Sequence, residues 1–183
     1  AFLFPGVGYG GSCFPKDVSA LTMMGDRYDC PMEVTAAVQS VNQRQRRTFA
    51  QRVIDHFGAE CRFSTLAVWG LAFKAGTDDV RESPALTGVK MFLDAGFSVR
   101  AHDPEAMHTA AAVLGTEVKM IDSRDEALEG ADALVIFTDW QELRNPDFDV
   151  MAQKLRRKLV FDGRNLYDPQ TMAERERALA TGD

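Results

Sequence analysis

The stretch Ala133-Leu-Val-Ile-Phe137 decides the fold class, because it is the most apolar of the strand-like runs in this chain of 183 residues. A short, continuous apolar run is typical of a strand that is covered on both faces of a parallel sheet. We therefore expect it to lie at the centre of a sheet. Further β-prone runs occur on both sides of it along the chain, at residues 65–69, 97–102, 117–121 and 159–161.

Helical segments alternate with these strands, at residues 84–95, 104–114, 123–128 and 149–157. Gly96 is expected at the C-cap of the first of these helices, and Gly115 follows the second. Ser123 is followed three residues later by a glutamate, which is the spacing of a capping box. Alternating strands and helices predict an α/β fold in which a doubly wound, Rossmann-like parallel sheet occupies residues 61–183.

A long helix is predicted upstream of the sheet, over residues 32–57. Apolar side chains recur there at helical spacing, at Val34, Val38, Val41, Phe49, Val53 and Phe57. Gly58 is a natural C-cap, and the turn formers in residues 25–31 predict a break before the helix. Its middle, Asn42-Gln-Arg-Gln-Arg-Arg47, is strongly polar. A solvated face explains this polar stretch as well as a functional role does.

The stretch Gly6-Val-Gly-Tyr-Gly-Gly-Ser-Cys-Phe-Pro-Lys-Asp17 carries the strongest chemical signal. Pro15 suits the first position of a helix, which places Cys13 just before a helix N-terminus. The helix dipole and the charge of Lys16 both favour a thiolate at that position. Asp17 is suited to orient a water molecule or accept a proton. Together these residues predict a nucleophilic cysteine.

The glycines of the same stretch also match the dinucleotide fingerprint G-x-G-x-x-G. That motif requires a preceding strand and a helix that follows at once. Pro5 interrupts the only candidate strand, and Ser-Cys-Phe-Pro stands where the helix should already run. We therefore reject a dinucleotide site at these glycines.

Charged residues follow several of the predicted strands, at the edge where doubly wound sheets bind ligands. Lys74 lies in a long loop, residues 70–83, and is a candidate pyrophosphate contact. Arg164 follows the last strand and can hold a phosphate or carboxylate in a bidentate fork. Asp103 ends the second strand, where an acid often meets a ribose, but a turn-forming role before Pro104 is the favoured interpretation.

Composition narrows the function classes. A net charge of −6 argues against general nucleic-acid binding. No apolar run approaches the length of about 20 residues that spans a bilayer, so no membrane partner is expected. The three cysteines, Cys13, Cys30 and Cys61, show no metal-ligand spacing. An odd set of this kind fits a reducing, cytoplasmic location without a metal site.

Three stretches resemble the UDP-glucose/GDP-mannose dehydrogenase family: the cysteine stretch, Trp69-Gly-Leu-Ala-Phe-Lys-Ala-Gly-Thr-Asp-Asp-Val-Arg-Glu-Ser-Pro84 and Phe161-Asp-Gly-Arg-Asn-Leu-Tyr-Asp-Pro169. The resemblance covers nearly the whole chain. It implies catalytic roles for Cys13, Lys16 and Asp17. It implies substrate contacts from Tyr9 (where the family often has Phe), Gly10, Phe14, Phe73, Lys74 and Arg164, and a contact of Arg81 with NAD.

The resemblance also implies a mechanism and partners. The family oxidises a primary alcohol of a nucleotide sugar to a carboxylate in two hydride transfers to NAD, through a thioester on the cysteine. It implies that residues 1–60 form the cysteine loop and a linking helix through which the protein forms a homodimer. It implies that an N-terminal NAD-binding domain precedes this chain, so that the chain alone is expected to be inactive.

Alternatives remain within and outside the family. Residues 138–140 and 162–165 favour the UDP-glucose branch, whereas residues 75–79 closely resemble the GDP-mannose branch. A nucleotide-sugar-binding module without catalysis is a different class of function. The complete Cys13-Phe-Pro-Lys-Asp17 sequence argues against that module, because a sensor has no use for a reactive cysteine.

Overall fold

The computed structural model describes residues 5–173 and has the predicted α/β architecture, a five-stranded, entirely parallel sheet. The strands are β1 (Thr65–Trp69), β2 (Ser98–His102), β3 (Val118–Met120), β4 (Ala133–Ile136) and β5 (Leu159–Asp162). Their order is β3-β2-β1-β4-β5. The most apolar strand, β4, is therefore an interior strand as expected, but β1 rather than β4 occupies the centre.

The helices that accompany the sheet are α1 (Phe14–Arg27), α2 (Glu33–Phe57), α3 (Pro84–Asp94), α4 (Met107–Leu114), α5 (Arg124–Ala127) and α6 (Phe148–Lys154), and residues 169–173 are also helical. Short 3-10 turns span Gly58–Phe63, Gly115–Glu117 and Gln141–Leu143. None of the helices within residues 5–173 combines the length and the apolar character needed to cross a membrane.

The two faces of the sheet are covered by different helices. One core joins Leu66 and Val68 of β1 to buried residues of α2, α3 and α4. The other joins Ala67 and Trp69 of the same strand to Leu128, directly after α5, and to Met151 of α6. Alternate β1 residues thus enter opposite cores, because successive side chains of a strand point to opposite faces. This arrangement is the doubly wound layering that the sequence predicts.

Several predicted boundaries require correction. Gly25 is not a break but a buried residue inside α1, and a Cβ on it would lie 2.5 Å from the Cys30 carbonyl oxygen. The break instead follows Arg27. Gly96 is not the C-cap of α3 but follows the C-cap residue, Ala95, with a φ of 97°. Helix α4 begins at Met107 rather than at residue 104, because the preceding residues form a turn on Asp103.

Helix α2 has the predicted length, but its exposure differs from the prediction. Val53 and Phe57, in its last turns, enter the core, as the pattern predicts. In its first half, however, Val34 is 78 % exposed, whereas the polar Asn42 and Arg46 are buried. The polar middle of the helix is therefore not simply a solvated face.

Candidate active site at the carboxyl edge of the sheet

Asp103, which directly follows β2, organises the carboxyl edge of the sheet. Its side chain is fully buried. The carboxylate accepts hydrogen bonds of 2.6 to 3.1 Å from five donors: the backbone N–H groups of Leu71, Ala72, Glu105 and Ala106, and Trp140 Nε1. These bonds occupy the carboxylate with protein donors, which supports the turn-forming interpretation over a ribose contact.

The β1 loop, residues 70–83, is pinned where the strand order reverses between β1 and β4. Ser83 Oγ donates a hydrogen bond of 2.7 Å to the carbonyl of Leu71. Thr138 Oγ1, which follows β4, donates one of 2.7 Å to the carbonyl of Ala72. Ligands of doubly wound sheets bind in the crevice at this switch point. The loop that carries the predicted substrate contacts is thus held at the expected place.

The cysteine loop, residues 5–13, crosses the same edge of the sheet. Near its start, Gly6 lies against Arg164, and a Cβ on this glycine would be 2.7 Å from Arg164 Nη1. Near its end, the N–H of Gly11 donates a 2.8 Å hydrogen bond to the carbonyl of Arg81. The loop therefore extends from the end of β5 to the β1 loop.

Two polar residues of α2 hold the middle of the cysteine loop. Asn42 Oδ1 accepts the N–H of Tyr9 at 2.8 Å, and Asn42 Nδ2 donates to the Tyr9 carbonyl at 3.1 Å. Arg46 Nη2 donates to that same carbonyl at 2.5 Å, and Arg46 Nη1 pairs with Glu82 Oε2 at 2.8 Å. Both polar atoms of the Tyr9 backbone are thereby paired with buried side chains.

The glycines of the cysteine loop allow close approach to protein. A Cβ on Gly10 would lie 2.3 Å from the Glu82 carbonyl oxygen. Gly11 has a φ of 96°, and a Cβ there would lie 2.8 Å from the Phe73 ring. Protein atoms fill the space that a dinucleotide fingerprint leaves for a pyrophosphate. This packing supports the rejection of a dinucleotide site at these glycines.

Cys13 immediately precedes α1, as predicted, and it is exposed. Its Sγ lies 3.7 Å from Ser12 Oγ, and its carbonyl accepts the N–H of Asp17. Lys16 and Asp17 are exposed in the first turn of α1, three and four residues after the cysteine. Among the described residues, no hydrogen bond joins either side chain to Cys13. Both side chains are therefore accessible to a ligand in the first turn of α1, close to the cysteine in sequence.

Two aromatic side chains meet next to the cysteine along the chain. The Tyr9 and Phe14 rings meet edge to face, with centroids 4.6 Å apart. Phe14 directly follows Cys13, is the first residue of α1 and is 54 % exposed. The structure thus brings two predicted substrate contacts together, with apolar surface open to solvent.

Arg81 lies beside the cysteine loop. Its Nη2 pairs with Asp79 Oδ2 at 2.7 Å, while 69 % of its side chain stays exposed. This hydrogen-bonded pair raises the pKa of Arg81, with a smaller contribution from the nearby Cys13, and lowers the pKa of Asp79. Arg81 therefore presents a fixed positive charge close to the cysteine and open to an anionic ligand.

The remaining predicted substrate contacts lie at the two ends of the cysteine loop. Lys74 is exposed in the β1 loop, with Nζ 5.5 Å from the centroid of the half-buried Phe73 ring. Arg164 donates from Nη2 to Asp139 Oδ1 at 2.9 Å. Its Nε is buried and has no hydrogen-bond partner among the described residues. Arg164 thus retains donor capacity at the end of β5, whereas Lys74 lies at the end of β1.

Sequence reasoning missed Asn42, Arg46 and Glu82 as parts of the site. The spacing of four residues between Asn42 and Arg46 places them on one face of α2. That spacing was visible in the sequence, but nothing local distinguished this face from a solvated one. Glu82 carried no signal, although its φ of 53° is unusual for a residue other than glycine. No cluster of three or more metal-ligating side chains occurs in residues 5–173.

Comparison with known proteins places these features in a family. Residues 67–169 match the model of the UDP-glucose/GDP-mannose dehydrogenase family, UDP binding domain. Residues 1–44 match the central domain of the same family. The first match covers more than half of the chain, and it contains the β1 loop and Arg164.

Individual relatives agree with the family models. The chain is 43% identical over 178 residues to a UDP-glucose 6-dehydrogenase of Pseudomonas aeruginosa, covering 94% of this chain and 39% of that protein. It is 40% identical over 179 residues to a UDP-glucose 6-dehydrogenase of Rhizobium meliloti, with coverages of 94% and 39%. A UDP-glucose dehydrogenase structure from Pyrobaculum islandicum superposes with a TM-score of 0.80 at 36% identity, over 90% of this chain and 36% of that one. The chain thus spans about two fifths of the length of these relatives.

Proposed function

This chain belongs to the UDP-glucose/GDP-mannose dehydrogenase family, and we propose that it is the cysteine-bearing, UDP-sugar-binding part of an NAD-dependent UDP-glucose 6-dehydrogenase. The complete protein would oxidise UDP-glucose to UDP-glucuronate. In this proposal residues 1–60 provide the cysteine loop and the linking helix, and residues 61–183 provide the UDP-binding sheet. The three free cysteines agree with a cytoplasmic location.

One observation carries the proposal: the cysteine loop is docked on the β1 loop. The hydrogen bond of 2.8 Å from the Gly11 N–H to the Arg81 carbonyl joins the two loops two residues before Cys13. The β1 loop leaves the sheet at the switch point, where a nucleotide binds in this fold. A sugar attached to a nucleotide at that edge would therefore extend towards the thiol.

The chain's own residues suit the covalent part of the reaction. After the alcohol has been oxidised to an aldehyde, Cys13 Sγ attacks the aldehyde carbon, and the carbonyl oxygen takes up a proton to give a thiohemiacetal. A second two-electron oxidation gives a thioester on Cys13, which water cleaves to a carboxylate and the free thiol. Lys16 stabilises the developing oxyanion, and Asp17 positions the attacking water.

When bound, NAD would supply the hydride acceptor for both oxidations. The donor set of this chain fits a limited contact with it, since Arg81 offers an exposed guanidinium beside Cys13 that suits a phosphate or ribose. The glycines of the cysteine loop pack on protein and do not provide a dinucleotide cradle. We therefore propose that most of the NAD contacts come from outside these 183 residues, and that the chain alone forms no NADH.

Lys74 and Arg164 are the proposed diphosphate contacts of the UDP-sugar. They follow β1 and β5, at the same edge of the sheet, and Lys74 is exposed. Arg164 keeps 22% of its side chain exposed, and its buried Nε has no partner among the described residues. A ligand phosphate would bind to the exposed part of its guanidinium. Tyr9, Gly10, Phe14 and Phe73 would line the sugar side of the same site.

Calorimetric titration of the 183-residue chain with UDP-glucose, UDP, GDP-mannose and NAD tests the proposal. We expect binding of UDP-glucose and UDP, and no measurable binding of NAD. Tighter binding of GDP-mannose than of UDP-glucose would favour the other branch of the family. NAD binding to the isolated chain, or NADH formation by it, would contradict the division of labour proposed here.

Two arginines that share one acid provide a matched pair for the same titration. Arg164 and Arg144 both pair with Asp139, at 2.9 and 3.3 Å. Only Arg164 lies beneath the cysteine loop. Arg164→Met should weaken UDP binding at least about tenfold, because a charge-assisted bond to phosphate is lost. Arg144→Met should change it less than about twofold, and equal effects would contradict the assigned site.

Thiol labelling separates the enzyme from a non-catalytic binding module. Cys13 and Cys30 are both exposed, so accessibility is matched. Cys61 is buried, and burial raises the pKa of its thiol. We expect iodoacetamide to label Cys13 about tenfold faster than Cys30, because Cys13 adjoins a helix N-terminus and Lys16. Equal, slow labelling of both exposed cysteines would favour the binding module.

A homodimer through α1 and α2 is part of the proposal. These helices expose apolar side chains that the described chain leaves in solvent: Leu21, Met23, Met24, Val34, Val38 and Val41. Exposed apolar side chains grouped on two helices that contact each other are typical of a protein interface. Light scattering after size-exclusion chromatography should give twice the chain mass, and Val34→Asp should shift it to the monomer. A monomeric wild-type chain at micromolar concentration would contradict the dimer.

A further inference from the structure

We infer that Arg46 is a positioning residue that couples occupancy of the UDP-sugar site to the placement of Cys13. The inference concerns the Arg46 clamp, defined as Arg46, Asn42, the Tyr9 backbone and the Glu82 carboxylate. It deepens the proposed function and rests on it for the identity of the ligand. The geometry of the clamp itself is independent of that function.

The guanidinium fork of Arg46 bridges the cysteine loop and the β1 loop. One terminal nitrogen donates to the Tyr9 carbonyl of the cysteine loop, and the other pairs with Glu82 of the β1 loop. The side chain is only 9% exposed, so these two loops are bridged by a largely desolvated charge. A lysine has a single ammonium group and cannot reproduce a planar fork between two acceptors. The side chain therefore fixes the distance between the two loops.

The cysteine loop and the β1 loop also contact each other directly. The Gly11 N–H bonds to the Arg81 carbonyl, and Gly10 lies so close to the Glu82 carbonyl that it has no room for a Cβ. Glu82 adopts a φ of 53°, a left-handed conformation that is unfavourable for a residue other than glycine. That conformation persists because its surroundings hold it. Movement of residues 81–82 must therefore move the backbone that leads to Cys13.

The β1 loop also carries proposed contacts with the UDP-sugar. Phe73 and Lys74 lie in the same β1 loop, and the Phe73 N–H donates to the Asp79 carbonyl at 3.1 Å. The Phe73 ring also packs under Gly11. A diphosphate held by Lys74 would thus order the loop that the clamp ties to the cysteine loop. Binding at one loop would then reduce the motion of the other.

If Arg46 had a purely structural role, its loss would loosen helix α2 as well as the cysteine loop. Helix α2 is anchored in the core by Ala50, Val53 and Phe57, which are between 0% and 4% exposed. Arg46 lies outside that core, since it contacts loops rather than the sheet. Its loss should therefore release the cysteine loop and leave the last turns of α2 intact.

Amide hydrogen exchange of the Arg46→Met variant of the 183-residue chain tests the clamp. The matched control is Arg47→Met, which changes the exposed neighbouring arginine. We expect exchange in residues 5–13, including the Gly11 amide that Arg46 does not touch, to accelerate about tenfold in Arg46→Met. Residues 50–57 should be unchanged, and Arg47→Met should match wild type. Unchanged exchange in residues 5–13, or equal acceleration in both segments, would overturn the clamp. Wild-type exchange in Arg46→Lys would overturn the role of the fork.

The same experiment with saturating UDP-glucose tests the coupling. In the wild-type chain the ligand should slow exchange in both residues 5–13 and residues 70–83. In Arg46→Met, saturated at a higher concentration if needed, the slowing should be confined to residues 70–83. Equal slowing of residues 5–13 in both proteins would overturn the coupling. Failure of the wild-type chain to bind UDP-glucose would overturn the proposed function and the coupling together, whereas the ligand-free exchange would still decide the clamp.

Discussion

Replacing Asp103 by asparagine should destabilise the protein strongly, although the two side chains have nearly the same shape. Asp103 Oδ2 accepts three hydrogen bonds and Oδ1 accepts two. Asparagine has a single acceptor oxygen, and its amide group can only donate. The oxygen will keep the side with three donors. The amide group will then face the N–H groups of Glu105 and Ala106, at the start of the turn into α4.

The magnitude follows from these contacts. The Ala106 N–H is buried and loses its acceptor, which costs about 1–3 kcal/mol. The Glu105 N–H is partly exposed and can bond water instead. The three retained bonds change from charge-assisted to neutral, each losing up to about 1 kcal/mol, and relief of the buried charge offsets part of this loss. We therefore expect a net loss of about 3 kcal/mol.

Urea unfolding followed by tryptophan fluorescence measures this loss, since Trp140 bonds directly to Asp103 and Trp69 is fully buried. With an m-value of about 2 kcal/mol/M, the midpoint should fall by about 1.5 M. Asp78→Asn, at an exposed aspartate of the β1 loop, is the control and should change stability by less than about 0.5 kcal/mol. A loss below about 1 kcal/mol for Asp103→Asn would refute this account of the carboxyl edge.

Two further perturbations follow from particular contacts. Gly11→Ala places a Cβ 2.8 Å from the Phe73 ring at a φ of 96°, whereas Gly76→Ala has a φ of 77° and nothing within 4 Å. Urea titration should therefore show a loss about 1–2 kcal/mol larger for Gly11→Ala, and equal losses would mean that the contact is unimportant. Burial raises the pKa of the Tyr167 phenol, which donates to the Leu143 carbonyl at 2.7 Å, and Asp162 adds to the rise. Because the folded pKa lies above the unfolded value of about 10, this contribution is complete below pH 10 and is lost as the pH rises further. Tyr167→Phe should cost about 1 kcal/mol at pH 7 and show a shallower loss of stability above pH 10, and identical pH profiles would contradict the burial argument.

The sheet could be predicted because its determinants are local. Each strand is a short apolar or β-prone run, and each run is followed by a turn or helix signal that lies within a few residues of it. The observed bounds of β1, Thr65–Trp69, coincide with the predicted run. The order of the strands is less local, because nothing within residues 133–137 reports that two strands lie beyond β1 and only one lies beyond β4. The interior position of β4 was predictable, and the central position of β1 was not.

The candidate site residues divide in the same way. Cys13, Lys16 and Asp17 lie within one turn of a helix start, and Lys74 lies in a loop that follows a strand, so short stretches of sequence predicted them. The role of Arg81 was implied only by the family resemblance. The residues that place Cys13 are far from it along the chain, since Asn42 and Arg46 bond to Tyr9 across 33 and 37 residues. No local pattern reports such a pairing. A buried arginine and an exposed one, Arg46 and Arg47, are adjacent in sequence and differ only in what lies opposite them.

Helix α2 shows why periodicity alone misassigned the exposure of its first half. The spacing of Val34, Val38 and Val41 establishes that these side chains share a face, but burial requires a second surface that covers the face. The sheet provides that surface only for the last turns of the helix, where Val53 and Phe57 enter the core. In the first half the polar face is the one with partners, because the cysteine loop brings backbone groups that need a buried amide and a guanidinium. The apolar face of that half is then left for the proposed homodimer, so a single helix both positions the cysteine and offers the interface through which two such sites would be joined.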